Sequence, residues 1–570
     1  MRYSWVLPER IKDTSTLNIY KKYNLHPILA EIIYKRKIDS PEKIEAYFSS
    51  SISHLYDPFL MADMEKAVNR IIKAMQVGEN ILIYGDYDVD GVTGVSILYD
   101  ALFKLGGKVS FFIPSRFHEG YGLSIEGIKT AQKRNVSLII AVDCGITAIK
   151  EIKYALDQNI DTIICDHHEP LKELPQAAAI LDPKVKNAPY PFKELAGCGM
   201  AFKLLQALVK RLKLKEEFAA QYLDMVALGT AADIVQLVDE NRVLVKKGLE
   251  LIADKPRPGI FALLELSGML EKDITVSSVV FTVAPRVNAV GRISNAKKAV
   301  HLLTTKSLQQ ARNIARILEK ENQTRKSFDE QTFLEAQDMV DNDIDIENKR
   351  ILVLAKDGWH PGVVGIVASR ILEKYNRPAV LISLNNGMGR GSARSTSNFD
   401  IYAAFNKLQH LFTSYGGHQF AAGLTISEEN VKALDIEINE YAEEYLRIEE
   451  LVSKLDIDAV VSFDQFNASF FNGLKTLAPF GPGNMRPVFA SYNLSVYGRP
   501  AIVGSNHLKI KFKQNSVVLD AIGYNLGDSI DMLKGAEDNI ACAYVLEESR
   551  WSGQTTIQMI IKDIKVENNG

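Results

Sequence analysis

Acidic residues gather in four short segments of this chain, and their types and spacing point to metal chemistry. GDYDVDG (85–91) sets Asp86, Asp88 and Asp90 at alternate positions, and AVDCG (141–145) adds Asp143. CDHH (165–168) supplies Asp166, His167 and His168, and GTAADIV (229–235) supplies Asp233 after the apolar stretch LDMVALG. One aspartate after a strand is commonly a turn former or a helix cap. Several in one cleft repel one another, and each partly buried unpaired charge costs several kcal/mol. A cation must therefore hold them. Oxygen ligands with one or two imidazoles suit Mn2+ or Mg2+ better than thiolate-seeking metals. Two such ions about 3.5–4 Å apart can clamp a phosphodiester and activate a water for in-line attack. The cluster reads as a double metal site for metal-assisted hydrolysis. Competing schemes lack their motifs: there is no G-x-x-x-x-G-K-[ST] loop, H-E-x-x-H helix or G-x-S-x-G elbow.

Such a cluster needs elements that bring its members to one edge. ILIYG (81–85), VSLIIAVDCG (136–145) and DTIICDHH (161–168) read as buried strands, with amphipathic stretches such as VTGVSILYDALFKLG (92–106) between them. That alternation implies βαβ units and a parallel sheet covered on both faces. The carboxyl ends of its strands share one edge, where ligands bind, so the acidic segments should converge there. A second α/β unit opens at KRILVLAKDGWHPGVVGIVASRILEKY (349–375). It continues through RPAVLISL (377–384) and Gly-rich segments at 387–395 and 416–423.

Around these units the patterns are simpler. Residues 1–50 read as short helices, with Ser40 as N-cap and Pro41 in the first turn of DSPEKIEAYF (39–48). Residues 302–342 read as one long helix or two in succession. Leu308, Ala311, Ala315 and Leu318 line one face and Arg312, Arg316 and Lys320 another, either a solvated face or a basic ridge towards nucleic acid. After residue 455 strands dominate, and a small antiparallel barrel is expected. HLKIKFK (507–513) alternates Leu508, Ile510 and Phe512 with Lys509, Lys511 and Lys513. The closing VENNG (566–570) is expected to fray.

Length and composition bound these readings. A chain of 570 residues exceeds one core, since cores stop growing near ~250–300 residues, so three or four domains are expected. A formal net charge of −3 does not exclude a nucleic-acid partner, because binding depends on where basic residues sit. Cys144, Cys165, Cys198 and Cys542 form no C-x-x-C pair, which argues against structural zinc; Cys144 and Cys165 read as buried thiols. No stretch approaches 18 apolar residues and the first residues show no apolar signal core. The expectation is a cytoplasmic protein without membrane partners.

The four acidic segments, in this order, resemble the DHH phosphoesterase superfamily, named for the triplet that stands here as Asp166-His167-His168. Further segments are similar to RecJ exonucleases: IPSRFHEGYGLS (113–124), APRVNAVGRI (284–293), DGWHPGVVGIVASR (357–370), GSARS (391–395), GGHQFAAG (416–423) and APFGPGN (478–484). Together they cover roughly residues 55–500. The resemblance implies an α/β fold with two α/β domains, DHH and DHHA1, joined by a long helix and followed by an OB-like β-barrel. The divisions would be an N-terminal helical segment 1–54, DHH 55–270, a RecJ-type segment and connecting helix 271–345, DHHA1 346–450 and OB-like 455–565.

By the same resemblance, Asp88 and Asp143 hold one divalent ion, while Asp90, Asp143, His167 and Asp233 hold the other, with Asp143 bridging and His168 facing the scissile phosphate. Tyr84 stands where many superfamily members have a histidine, so the first ion would rely on Asp86 or water. Arg390, Arg394 and His418 match residues of the DHHA1 domain that contact substrate phosphates. Arg116, Ser392 and Arg394 would grip a terminal 5′-phosphate, and Arg286, Asn288 and Arg292 would contact the strand near the metals. Lys509, Lys511 and Lys513 would form an electrostatic track. The implied activity is single-stranded-DNA-specific 5′→3′ hydrolysis to 5′-mononucleotides in DNA repair and recombination, by a monomer using two Mn2+ or Mg2+ ions. A single-strand-binding protein and a helicase are candidate partners.

Two other readings compete. A phosphodiesterase for short oligonucleotides or cyclic dinucleotides would need no C-terminal barrel. A non-catalytic nucleic-acid scaffold would not keep Asp88, Asp90, Asp143, His167, His168 and Asp233 together.

Overall fold

The computed structural model describes residues 3–566 apart from positions 10, 12, 13, 117, 118, 535–538, 552 and 553. The chain divides into two compact units. One comprises Glu45–Glu330 with Pro479–Asn484, the other Met1–Ile44, Gln331–Ala478 and Met485–Gly570.

The unit Glu45–Glu330 is built on a five-stranded sheet whose order is Lys108–Phe112, Asn80–Gly85, Val136–Val142, Asp161–Cys165, Ala179–Leu181. All its pairings are parallel. The apolar runs follow from burial on both faces. Ile81, Ile83, Leu138, Ile140 and Ile163 enter one core with the helices Met64–Val77, Val89–Lys104 and Gly197–Arg211. Their neighbours Leu82, Tyr84, Ile139, Ala141 and Ile164 enter the other, against helices Ile125–Lys133 and Ile149–Asp157. A strand with two dry faces has no polar positions to alternate. The expected strands are therefore present, and each stops short of its acidic residue: Asp86, Asp143 and Asp166 lie just past the strand ends. The chain turns opposite ways from Asn80–Gly85 and Val136–Val142, which makes their shared end the switch point of the sheet.

In the other unit a five-stranded sheet has the order Phe412–His418, Ala421–Ser427, Met388–Arg394, Ala379–Asn385, Leu352–Asp357. Only the pair Leu352–Asp357 and Ala379–Asn385 is parallel. Helix Val364–Tyr375 covers one face, and Ile401–Lys407 and Val431–Tyr445 the other. The Gly-rich segment 387–395 is thus mainly the strand Met388–Arg394, and 416–423 spans the tight turn between Phe412–His418 and Ala421–Ser427.

The C-terminal strands form a seven-stranded sheet, and Phe489–Val496 pairs with both Ile540–Trp551 and His507–Gln514, which closes a barrel. It departs from the expected antiparallel barrel in two parallel pairings, Ala459–Val460 with Phe489–Val496 and Val517–Gly523 with Gln554–Val566. His507–Gln514 alternates as expected, with Leu508, Ile510 and Phe512 inside and the three lysines outside.

One other expectation needs correction. Residues 1–50 contain a strand, Ser4–Val6, which pairs in parallel with Lys454–Asp456. The stretch 302–342 is two helices, Lys297–Thr304 and Leu308–Asp343. Ala311, Ala315 and Leu318 are buried, and Arg312 is held by a two-pronged bond to Glu265 at 2.7 and 2.8 Å. Ser40 caps the helix Pro41–Ser49 through the Lys43 amide. Of the tail expected at 566–570, Val566 ends a strand and positions 567–570 lie outside the described residues. Among the described residues no helix is long and apolar enough to cross a membrane.

Candidate active site

The acidic residues reach the switch point by different local routes. Asp88 is the N-cap of helix Val89–Lys104, accepting from the Gly91 amide at 3.0 Å, and Asp90 lies in its first turn. Asp143 leaves its strand with φ +60°, a left-handed turn that aspartate tolerates. Asp90 receives the amides of Gly197 and Cys198 at 2.6 and 2.9 Å, the free donors of a helix N-terminus. Gly197 also lets Asp143 come close, since a Cβ there would stand 2.6 Å from Asp143 Cβ. Asp233 is the C-cap that follows helix Leu223–Ala232.

Two groups result, each with ligand atoms within 4.8 Å of one another: Asp86, Asp88 and Asp143, and Asp90, His167 and Asp233. Asp143, His167 and His168 form a third that overlaps both. His167 Nε2 lies 3.1 Å from Asp143, 3.6 Å from Asp233 and 3.8 Å from Asp90.

Electrostatics show what the cluster lacks. Burial, and then neighbouring carboxylates, push Asp86 and Asp143 well above the usual carboxylate range. Burial raises Asp90 as well, and it raises Asp233 to about 9 with help from Asp90 and Asp88. Burial lowers His167 to about 4, so it stands as a neutral donor. Asp86 is 1% exposed, and among the described residues its carboxyl oxygens make no well-formed hydrogen bond, only looser approaches from the Tyr87 and Gly122 backbone. Buried carboxylates poorly supplied with donors, beside a neutral imidazole, fit divalent cations of the Mn2+ or Mg2+ kind.

Asp166 behaves differently. Burial alone would raise it, but the bond from His168 Nδ1 at 2.7 Å, with amides of Ile146 and His167, holds it at about 2. It is an orienting acceptor, and His168 in turn is held at about 9 against the lowering effect of burial. Tyr84 does not join the cluster. Its ring packs 5.0 Å from Phe112, and its hydroxyl donates to the Gly122 carbonyl at 3.1 Å. Asp86 itself lies beside Asp88 and Asp143.

The other site residues of this unit lie on nearby elements. Asn288 accepts the Val89 amide at 3.0 Å, and Arg286 pairs with Glu319. Arg286, Asn288 and Arg292 share helix Ala284–Ile293, with Arg292 in its last turn. Arg116 lies 5.5 Å over the Tyr87 ring. In the other unit Arg390, Ser392 and Arg394 alternate along one strand, and Arg394 Nη1 donates to Ser392 Oγ at 2.9 Å. His418 is exposed at the end of the edge strand. The three lysines project outward, with Lys511 3.2 Å from Asp520.

Sequence reasoning missed Tyr121, whose hydroxyl lies 3.0 Å from His168 Nε2 and donates to the Asp143 carbonyl at 3.3 Å. It stands in the noted segment 113–124, but an aromatic among glycines carries no signal of its own. It also missed the Gly197 and Cys198 amides, since backbone donors leave no side-chain trace.

Three family profiles match this chain: the DHH family N-terminal domain over residues 80–230, the DHHA1 domain over 348–444 and the RecJ OB domain over 457–563. The single-stranded-DNA-specific exonuclease RecJ of Haemophilus influenzae is 32% identical over 561 residues, covering 95% of this chain and 96% of that protein. The chain belongs to the RecJ family. The RecJ of Bacillus subtilis is 36% identical over 572 residues, 99% of this chain and 71% of the relative. Among solved structures, RecJ from Thermus thermophilus in complex with Mn2+ matches with TM-score 0.86 at 27% identity, covering all of this chain and 80% of that one. The same protein with Mg2+ gives 0.80. The RecJ architecture of DHH, DHHA1 and OB domains is therefore that of this chain.

Proposed function

We propose that this RecJ-family enzyme is a single-stranded-DNA-specific exonuclease that hydrolyses phosphodiester bonds from the 5′ end and releases 5′-mononucleotides. The observation that carries the reading is the pair of ligand groups at the switch point, with the buried Asp86 carboxylate among them. Asp86, Asp88 and Asp143 would hold one divalent ion, and Asp90, Asp143, His167 and Asp233 the other. When bound, Mn2+ or Mg2+ supplies Lewis-acid stabilisation of the phosphoryl charge and activates water for in-line attack.

The chain's own residues do the rest. Asp166 fixes His168 through Nδ1, which leaves Nε2 as the nitrogen offered to the scissile phosphate. Until substrate binds, that nitrogen meets the Tyr121 hydroxyl, which would give way to the phosphate. Arg286, Asn288 and Arg292 are assigned to the strand near the ions, and Arg116 to a substrate phosphate. Ser392 and Arg394 are assigned to the terminal 5′-phosphate, supported by their shared strand face and mutual bond. Arg390 and His418 are assigned to further phosphates, and Lys509, Lys511 and Lys513 to the DNA backbone. Work in DNA repair and recombination, as a cytoplasmic monomer beside a single-strand-binding protein and a helicase, completes the reading.

The test is digestion of single-stranded DNA labelled at either end with Mn2+ or Mg2+, beside a duplex and a dinucleotide. Stepwise release of mononucleotides from the 5′ end, with the duplex spared, is the expected result. Release from the 3′ end, or cleavage of the dinucleotide alone, would overturn it.

A further inference from the structure

Directly after Asp233 the chain does something costly. Ile234 has φ +63°, a left-handed conformation that a β-branched residue adopts only where its surroundings impose it. From there Val235 to Val238 lead into helix Asp239–Asp254. Asn241 Nδ2 donates to the Gln236 carbonyl at 3.0 Å from one side. From the other side the run is held by Pro479–Asn484, a segment far along the chain that belongs to this same unit.

The Leu237 amide donates to the Pro482 carbonyl at 2.6 Å. Gly481 lies so close that a Cβ there would meet Leu237 Cδ1 at 2.5 Å, and one on Gly483 would come 3.0 Å from Val238 Cγ1. The segment is itself braced. Gly481 and Asn484 exchange backbone bonds of 3.1 and 2.9 Å. Asn484, 1% exposed, donates to the Pro479 carbonyl at 2.9 Å and accepts from the Tyr47 hydroxyl at 3.0 Å. The buried Arg242 guanidinium, 3.8 Å from the Tyr47 ring centre, donates to Pro479 at 3.3 Å. These residues form the APFGPGN segment, which neither the ligand groups nor the phosphate contacts use.

We propose that Pro479–Asn484 is a positioning clamp for Asp233, fixing the backbone of 234–238 so that the carboxylate stays beside Asp90 and His167. The inference rests on the reading of Asp233 as a metal ligand. Gly481, Asn484 and Tyr47 touch no substrate and act through the loop they hold.

The experiment compares the full chain with its Gly481→Ala, Asn484→Ala and Tyr47→Phe variants, with Asp233→Asn as reference. Mn2+ binding is followed by electron paramagnetic resonance without DNA, and amide hydrogen exchange is read at 234–238. The clamp variants should weaken one of two Mn2+ ions by about 10–100-fold, the usual effect of removing support behind a ligand. Exchange at Leu237 should rise, KM for single-stranded DNA should hold, and kcat should recover at saturating Mn2+. Tyr47→Phe removes a single hydroxyl and carries the test if Asn484→Ala does not fold. Unchanged exchange at 234–238, or unchanged Mn2+ affinity where Asp233→Asn loses an ion, would overturn the clamp. If Asp233→Asn itself keeps both ions, the ligand reading fails and the clamp loses its purpose. That outcome is told apart by the reference variant alone.

Discussion

Asp166 and His168 are joined by a bond of 2.7 Å from Nδ1 to a buried carboxylate, and Asp166 lies in neither of the two ligand groups. Its task is orientation. Asp166→Asn should lower kcat by about 10–100-fold, the range for a lost supporting partner, while both Mn2+ ions still bind. An unchanged rate at saturating metal would remove Asp166 from this role.

Asp143 and His167 stand at the centre of the cluster, 3.1 Å apart. Asp143→Ala or His167→Ala should abolish hydrolysis and spare most DNA binding, measured by fluorescence anisotropy on single-stranded DNA. Retained turnover would sink the two-ion assignment.

Arg394 is tethered to Ser392 and to the Ala393 carbonyl, at 2.9 and 2.7 Å, so its guanidinium is set in place before substrate arrives. A lost charge-assisted hydrogen bond costs about 1.5–3 kcal/mol. Arg394→Ala should therefore reduce the preference for a 5′-phosphorylated over a 5′-hydroxyl end by about tenfold or more in kcat/KM. Equal losses on both substrates would refute the assignment.

Lys509, Lys511 and Lys513 share the outer face of one strand, but Lys511 already meets Asp520. Each phosphate contact on a single strand contributes about 0.7 to the salt slope of binding. Neutralising Lys509 and Lys513 should flatten that slope more than neutralising Lys511. An unchanged slope would make all three a solvated face.

Away from the active site, Asp100 offers a test of stability against pH. Burial would raise its carboxyl, but bonds from Lys104 and Tyr222, with Lys306 nearby, outweigh it and hold the group below the usual range. A depressed folded value gives stability that is present above the unfolded value of about 4 and is lost as pH falls through the folded one. Asp100→Ala should cost about 1–3 kcal/mol at neutral pH. Its Tm deficit should shrink as the medium is acidified below pH 4; a deficit independent of pH would contradict this.

Much of the molecule was legible in the sequence because its signals are local. Runs such as 81–85 and 136–142 have no polar alternation since both their faces are dry, and aspartates placed after such strands must meet at one sheet edge. The outward lysines of 507–513 follow from a period of two in the same way. What tertiary structure alone decided is of another kind. It turned Tyr84 into a core beside Phe112 and set Asp86 beside Asp88 and Asp143, two fates that residues two apart at one strand exit do not announce. It paired Ser4–Val6 with Lys454–Asp456 and set Pro482 against Leu237. Contacts between residues so distant in the chain leave no periodicity in either partner, since each is selected only by the shape and hydrogen bonding of the other once both are folded.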